Sequence, residues 1–313
     1  MIEDFRIRDG EQLFALLKEN FPEEDRAYGI RPDAWGEVLR RIHRPPIRLV
    51  VALARLARRP IYRFFTIRDD GRLVATSLVS FAPRIGYISM VMVDASHRRR
   101  GYARRLLHRC HEEIARFHRP NAVLDVLSQN RSARALYDSE GYRLLRTATL
   151  YTRSMTDPGP ASGASPAGTV RPYAKKDRPE LARIAGQAVP PEIARVLPPA
   201  GRRLNASPTI DQVLGSDSAS WVLEERGRPV AWISATSSEF MDAAGLATPI
   251  VDPTADPAGV AALLDTATRW CQAHHAGWAI CRVPNDLSAS VRAITERGFT
   301  STLTADTLYR PLR

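Results

Sequence analysis

The chain has 313 residues, 44% of them hydrophobic and 25% charged, which exceeds one comfortable core and fits two globular domains. No apolar run approaches the roughly 20 residues that cross a bilayer, and Met1-Ile-Glu-Asp has no basic segment leading into an apolar core, so a cytoplasmic protein is expected. Cys110, Cys271 and Cys281 lack the C-x-x-C spacing of a zinc or dithiol centre.

The charge of +11 is one-sided. Residues 1–155 hold 29 Arg or Lys against 18 Asp or Glu, whereas residues 156–313 hold 16 of each. A basic domain can attract nucleic acid, anionic membrane or an acidic small molecule. Only three of the 45 basic residues are lysine and no nucleic-acid motif is present. The excess therefore reads as an arginine-rich composition, with neither a nucleic-acid nor a membrane partner expected.

In chain order, the pattern predicts a strand at 3–8, a helix at 11–20 and helical segments at 33–43 and 47–58. The stretch 47–58 is basic and amphipathic, as a core-facing or a membrane-surface helix would be. Strands at 60–67 and 72–82 are joined across Asp69-Asp70-Gly71, a hairpin signal. Tyr87–Val93 is almost wholly apolar, as a central strand requires. A helix at 101–117, a strand at 121–128, a helix at 131–139 and a final pair of strands ending near Arg153 complete a mixed α/β domain.

Residues 155–168 are rich in Pro, Gly, Ser and Ala and read as a linker. They separate an expected first domain, 1–154, from a second domain, 169–313. The second half repeats landmarks of the first at an offset of 156 to 158. Gly71-Arg-Leu-Val-Ala75 answers to Gly227-Arg-Pro-Val-Ala231, Val93-Asp94 to Val251-Asp252, Gly141-Tyr142 to Gly298-Phe299, and Leu150-Tyr151 to Leu308-Tyr309. Four matches in one order imply a duplicated domain.

Between the apolar strand and the helix lies Asp94-Ala-Ser-His-Arg98-Arg99-Arg100-Gly101-Tyr102-Ala103-Arg104. A loop opening directly into a helix aims unpaired N–H groups and the positive end of the helix dipole at one point, where an anion such as pyrophosphate is stabilised. Gly101 and Ala103 keep the approach open, and Arg98, Arg99, Arg100 and Arg104 add charged donors. The bland alternative is a basic loop at a solvated helix start. Further on comes Leu124-Asp125, then Asn130, Ala133, Tyr137 and Gly141-Tyr142.

This arrangement resembles the GNAT N-acetyltransferases, whose signature R/Q-x-x-G-x-G/A follows a strand ending in Val-Asp. The resemblance covers most of residues 60–153 and is nearest to the ribosomal-protein alanine acetyltransferases. It implies a mixed α/β fold and acetyl-CoA as co-substrate. Amides from Arg98 to Arg104 would bind its pyrophosphate, and the backbone of Val91, Met92 and Val93 its pantetheine arm and thioester carbonyl. Asn130 would contact the cofactor, although it can equally cap the following helix. Tyr137 would protonate the leaving thiolate, although a core tyrosine would be unremarkable there. Asp125 stands where the resemblance implies a glutamate base, one methylene short, and could instead be a strand carboxylate in a local ion pair. Asp94 is expected to be structural, and His97 solvent-exposed or phosphate-facing.

At the offset of 158, Arg98 becomes Asp256 and Tyr137 becomes Ile294 by its spacing to Gly298, while Pro257 removes a donor. The second half therefore resembles a degenerate GNAT copy in a tandem plan. No metal site is indicated. The expected activity is acetyl transfer to a primary amine of a small molecule or peptide, the alternative being a non-catalytic CoA-sensing or assembly module.

Overall fold

In a computed structural model, residues 2–6, 9–27, 61–157, 160, 167–197, 216–239 and 241–312 are described, 24–26 by their backbone alone. The helical segments expected at 33–43 and 47–58, and most of the linker, lie outside these residues.

The first half contains β1 (Ile2–Asp4), α1 (Gly10–Asn20), α2 (Pro22–Ala27), β2 (Tyr62–Asp69), β3 (Arg72–Phe81), β4 (Ile85–Val93), α3 (Tyr102–Arg116), β5 (Asn121–Leu127), α4 (Arg131–Ser139) and β6 (Arg143–Ser154). The second contains β7 (Thr169–Pro172), α5 (Arg178–Ala188), α6 (Pro191–Val196), β8 (Ser216–Glu225), β9 (Arg228–Ser238), β10 (Ala243–Leu246), β11 (Ile250–Val251), α7 (Pro257–Ala273), β12 (Trp278–Pro284), α8 (Ser288–Glu296) and β13 (Thr300–Pro311). The pair of strands expected near Arg153 is one strand, β6, because nothing between Arg143 and Ser154 breaks the extended chain. The helix α2 was not anticipated, its six residues being too few to show a period.

Two compact units result: Met1–Arg26, Pro32–Leu145 and Ala305–Arg313 form one, and Ala27–Arg31 with Arg146–Thr304 the other. Relative to a linear division at 155–168, they exchange their last strands. In the first unit, β13 lies antiparallel to β5 from Ala305↔Leu127 to Pro311↔Asn121. In the second, β6 lies antiparallel to β12 from Trp278↔Ser154 to Pro284↔Ala148.

The strands of the first unit follow the order β1-β2-β3-β4-β5-β13, antiparallel except for the β4–β5 pair. One sheet face packs Phe65, Ile88, Leu124 and Val126 against Leu106, Leu107 and Ile114 of α3. The other packs Leu73 and Met92 against Leu13, Leu16 and Leu17 of α1. In the second unit Ile233, Ala235 and Cys281 pack against Leu263, Leu264 and Ala267 of α7.

The duplication is written in the backbone. Left-handed residues recur in pairs: Asp70 and Arg226, Gly71 and Gly227, His118 and His275, Gly141 and Gly298. The first two pairs make the tight hairpin turns that right-twisted strands favour. Asp94 and Asp252 each accept the amide two residues ahead, from Ser96 and Thr254. Among the described residues, Met90, Arg99 and Gly101 are the left-handed residues of the first unit without a counterpart in the second. All three lie between the end of the β4–β5 pairing and the start of α3.

Candidate active site

The cleft begins where two parallel strands separate. β4 and β5 pair from Ile85↔Asn121 to Ile88↔Leu124 and no further, although both strands continue. A bulge turns β4 away: its register with β3 breaks between Thr76↔Met92 and Leu78↔Ser89, and Met90 takes φ 53°. The extra residue reverses the alternation of side chains. Ile88 faces α3, Met90 and Met92 face α1, and Val91 and Val93 return to the α3 side. Past Ile88, the β5-facing edge of β4 pairs with no strand among the described residues. The side chains of Val91, Met92 and Val93 are thus spent on packing, and their backbone borders the cleft.

Asp94 then fixes the turn. Its Oδ1 accepts from the amide and hydroxyl of Ser96 and lies 2.9 Å from His97 Nδ1, and its Oδ2 accepts from Arg72 at 3.0 Å. These donors, the Ser96 hydroxyl foremost, hold its carboxyl down at about pKa 2. His97 is half-buried between Asp94 and Asp69, 3.4 Å from the latter. It is an anchor of the turn, neither solvent-exposed nor phosphate-facing as expected.

From this anchored turn the chain enters α3 through two left-handed residues, Arg99 at φ 62° and Gly101 at φ 79°. Such alternation curls successive N–H groups toward one concavity. The first helical bond is Arg105 N–H to the Gly101 carbonyl at 3.0 Å. The amides from Arg99 to Arg104 donate to no described acceptor, and no side chain caps the helix. Six consecutive donors at a helix start are thereby presented to an anion.

The arginines divide. Arg98 donates to the Val93 carbonyl at 3.2 Å and to Asn20 at 3.3 Å, tying the loop to α1. Arg100 lies 3.7 Å from Asp69. Arg104 is committed to Glu140 at 2.7 Å and Ser139 at 2.9 Å, so its guanidinium is not the free phosphate donor the motif suggested. Arg99 is exposed and, among the described residues, pairs with no carboxylate.

Across the cleft, Asp125 follows the last β4–β5 pair. Its Oδ2 accepts from the Tyr87 hydroxyl at 2.8 Å and its Oδ1 from the Thr307 hydroxyl at 2.6 Å. Leu124 and Val126 point toward α3, so alternation puts Asp125 on the opposite face. Asn130 Oδ1 caps α4, accepting from Ala133 N and Ser132 Oγ, each at 3.1 Å. Tyr137 lies on α4, 7% exposed in the core that faces α3, its ring 5.8 Å from that of Tyr142. Burial pushes its phenol up to about pKa 12, and its hydroxyl has no hydrogen-bond partner among the described residues. Tyr137 and Asp125 thus lie on opposite faces of the sheet.

Sequence reasoning missed Tyr87, Thr307 and a buried group around His111. Arg310 donates to His111 Nδ1 at 3.0 Å, and His111 Nε2 lies 2.7 Å from the Tyr142 hydroxyl. Burial first and the Arg310 charge second lower the His111 pKa to about 4. The repeated Leu308-Tyr309 signalled a strand but not its destination.

The second unit has closed its equivalents. The Asp256 carboxylate accepts from Gly259 N at 3.1 Å and Ala167 N at 3.0 Å, supplying its own anion to the start of α7, where Pro257 carries no N–H. Where β10 and β12 part, Thr248 Oγ1 donates to the Arg282 carbonyl at 2.7 Å. Ile294 is fully buried in place of a phenol.

The site is thus a sheet opened by a bulge, with a donor-lined helix start beside it. In the family comparison, residues 12–142 match the model of the acetyltransferase (GNAT) family. A comparison with curated protein sequences finds no match. Similar solved structures include a tandem GNAT protein from the clavulanic acid biosynthesis pathway, 13% identical over 100% of this chain and 98% of that one, with TM-score 0.68. A GCN5-related N-acetyltransferase from Sphaerobacter thermophilus is 17% identical over 100% and 96%, TM-score 0.69. The glucosamine N-acetyltransferase region of a fungal multi-domain GH3 β-N-acetylglucosaminidase is 14% identical over 99% and 38%, TM-score 0.69. At such identities these likenesses establish the fold alone, a mixed α/β tandem GNAT fold.

Among the described residues no helix is long and apolar enough to cross a membrane, and no group of three or more His, Cys, Asp or Glu is placed to hold a metal ion.

Proposed function

We propose that the first unit transfers an acetyl group from acetyl-CoA to a primary amine of a small molecule or peptide. The observation that carries this reading is the run of unpartnered amides from Arg99 to Arg104 beside the opened β4 edge. A pyrophosphate suits those donors, since unpartnered N–H groups and the positive end of the helix dipole converge there. The unpaired backbone of Val91, Met92 and Val93 suits an extended amide-bearing arm, which would lie there as an added strand. Asn130 Oδ1 is used by its cap, so any contact with the donor falls to its Nδ2.

When bound, acetyl-CoA supplies an activated acyl group as a thioester. The chain's part is to manage two protons, one leaving the amine and one taken up by the departing sulfur. Tyr137 is suited to the second task because its raised pKa keeps the O–H intact throughout the neutral range. Its burial also matters for the sulfur, because the low-polarity surroundings that raise a phenol raise a thiolate beside it. Asp125 is suited to the first task. It faces away from the α3 side, so an amine approaching from there meets a carboxylate before it meets the phenol.

The test is an amine panel with acetyl-CoA, following release of free thiol. The reading expects at least one primary amine to be acetylated, and no thiol release with any amine would overturn it. Propionyl- and butyryl-CoA in the same assay decide the acyl length.

A further inference from the structure

The geometry assigns Tyr87 and Thr307 a shared task, that of positioning residues which clamp Asp125 as the proton acceptor, with Thr307 brought to the site by the last strand of the chain. This rests on the reading of Asp125 as the base. Asp125 sits on β5 between two neighbours that reach it from opposite sides. Tyr87 comes from β4, two positions out of register with it, since Tyr87 pairs Val123. Thr307 is its direct partner on β13. Both hydroxyls donate, at 2.8 and 2.6 Å, one to each carboxylate oxygen. A carboxylate so held is oriented through both of its oxygens.

Tyr309 follows Thr307 on the same side of β13, and Glu23 of α2 holds Gln129 beyond the end of β5 at 2.8 Å. Asp306 and Arg310 alternate to the opposite face, where they pair with Arg134 and His111. In the step assigned here the amine loses one proton to the Asp125 carboxylate, and Tyr87 and Thr307 keep theirs. The clamp also gives the strand exchange a chemical consequence, because the hydroxyl that orients the base lies 182 residues away along the chain.

The experiment uses the full chain as Thr307→Val, Thr307→Ser, Tyr87→Phe and Asp125→Asn. Carbon-13 NMR of the aspartate carboxyls, without ligand, follows the signal that Asp125→Asn removes. Loss of one donor to the ionised form is expected to raise its midpoint by about one pH unit in Thr307→Val and Tyr87→Phe, and Thr307→Ser is expected to restore it. With acetyl-CoA and the best amine of the panel, Thr307→Val is expected to lower kcat about tenfold and to move the acid limb of its pH profile up equally, with KM for acetyl-CoA unchanged. An unmoved carboxyl midpoint, or a serine variant as altered as the valine one, overturns the clamp. Full turnover by Asp125→Asn overturns instead the base on which it rests. Melting temperatures within a few degrees of the parent separate either result from misfolding.

Discussion

At the scale of single residues, the site depends on groups whose surroundings set their protonation. Tyr137 is the sharpest case. Substituting Tyr137→Phe removes one hydroxyl that has no described partner, so the fold should tolerate it, while kcat is expected to fall about 10²-fold or more. Acetyl-CoA binding, followed by calorimetry, is expected to stay within about threefold of the parent because the phosphate donors are untouched. His111 makes a prediction about stability. It is neutral in the fold with a pKa near 4 and titrates near 6.5 when unfolded. Between those values the unfolded chain binds a proton that the folded chain does not. Stability contributed by this group is therefore complete above about pH 6.5 and is lost as the pH falls toward 4, by at most about 3 kcal/mol. Urea unfolding at pH 7.5 and pH 4.5 checks this, and His111→Gln is expected to flatten the difference.

At the scale of elements, the contrast between the starts of α3 and α7 is the main result. Both follow an aspartate-anchored turn, yet α3 keeps its amides open while α7 fills them with Asp256. Replacing Asp256→Ala is expected to lower the melting temperature and leave turnover unchanged, since it removes a cap far in sequence from the acyl-donor motif. Gly101→Ala has the opposite emphasis. No atom lies within 4 Å of an added Cβ, so its cost, about 1 kcal/mol, is the left-handed backbone alone. It is expected to weaken acetyl-CoA binding by relaxing the curl of amides, which a titration would detect.

Much of this was legible beforehand, for identifiable reasons. The hairpin at Asp70-Gly71, the apolar run of β4, Gly101 and the Asn130 cap each have a local cause, and the sequence states local causes openly. The bulge at Met90 was not legible, because no glycine marks it and its driving force is pairing with β3. The commitment of Arg104 to Glu140 was hidden because a guanidinium beside a phosphate motif reads the same whether free or paired. The clamp on Asp125 joins residues that only the folded sheet brings together.

At the scale of the whole molecule, the exchanged strands set what can be separated. Residues 1–154 contain the entire acyl-donor motif yet lack Ala305–Arg313, which supplies the β5 neighbour, Thr307 and Arg310 to the first unit. The fragment leaves the β5 edge bare, which invites aggregation. It is expected to be inactive and poorly soluble where the full chain is active, as thiol-release assays and size-exclusion chromatography would reveal. The linear repeat could not foretell this, since Leu150-Tyr151 and Leu308-Tyr309 look alike whichever unit each joins.

Of the two related helix starts, one is expected to hold the acyl donor, because it presents bare amides while the other holds its own carboxylate. Calorimetric titration of the full chain with acetyl-CoA tests it most directly. One site per chain is expected, weakened by Gly101→Ala and indifferent to Asp256→Ala. Two sites per chain, or heat that persists unchanged in Gly101→Ala and vanishes in Asp256→Ala, would contradict it.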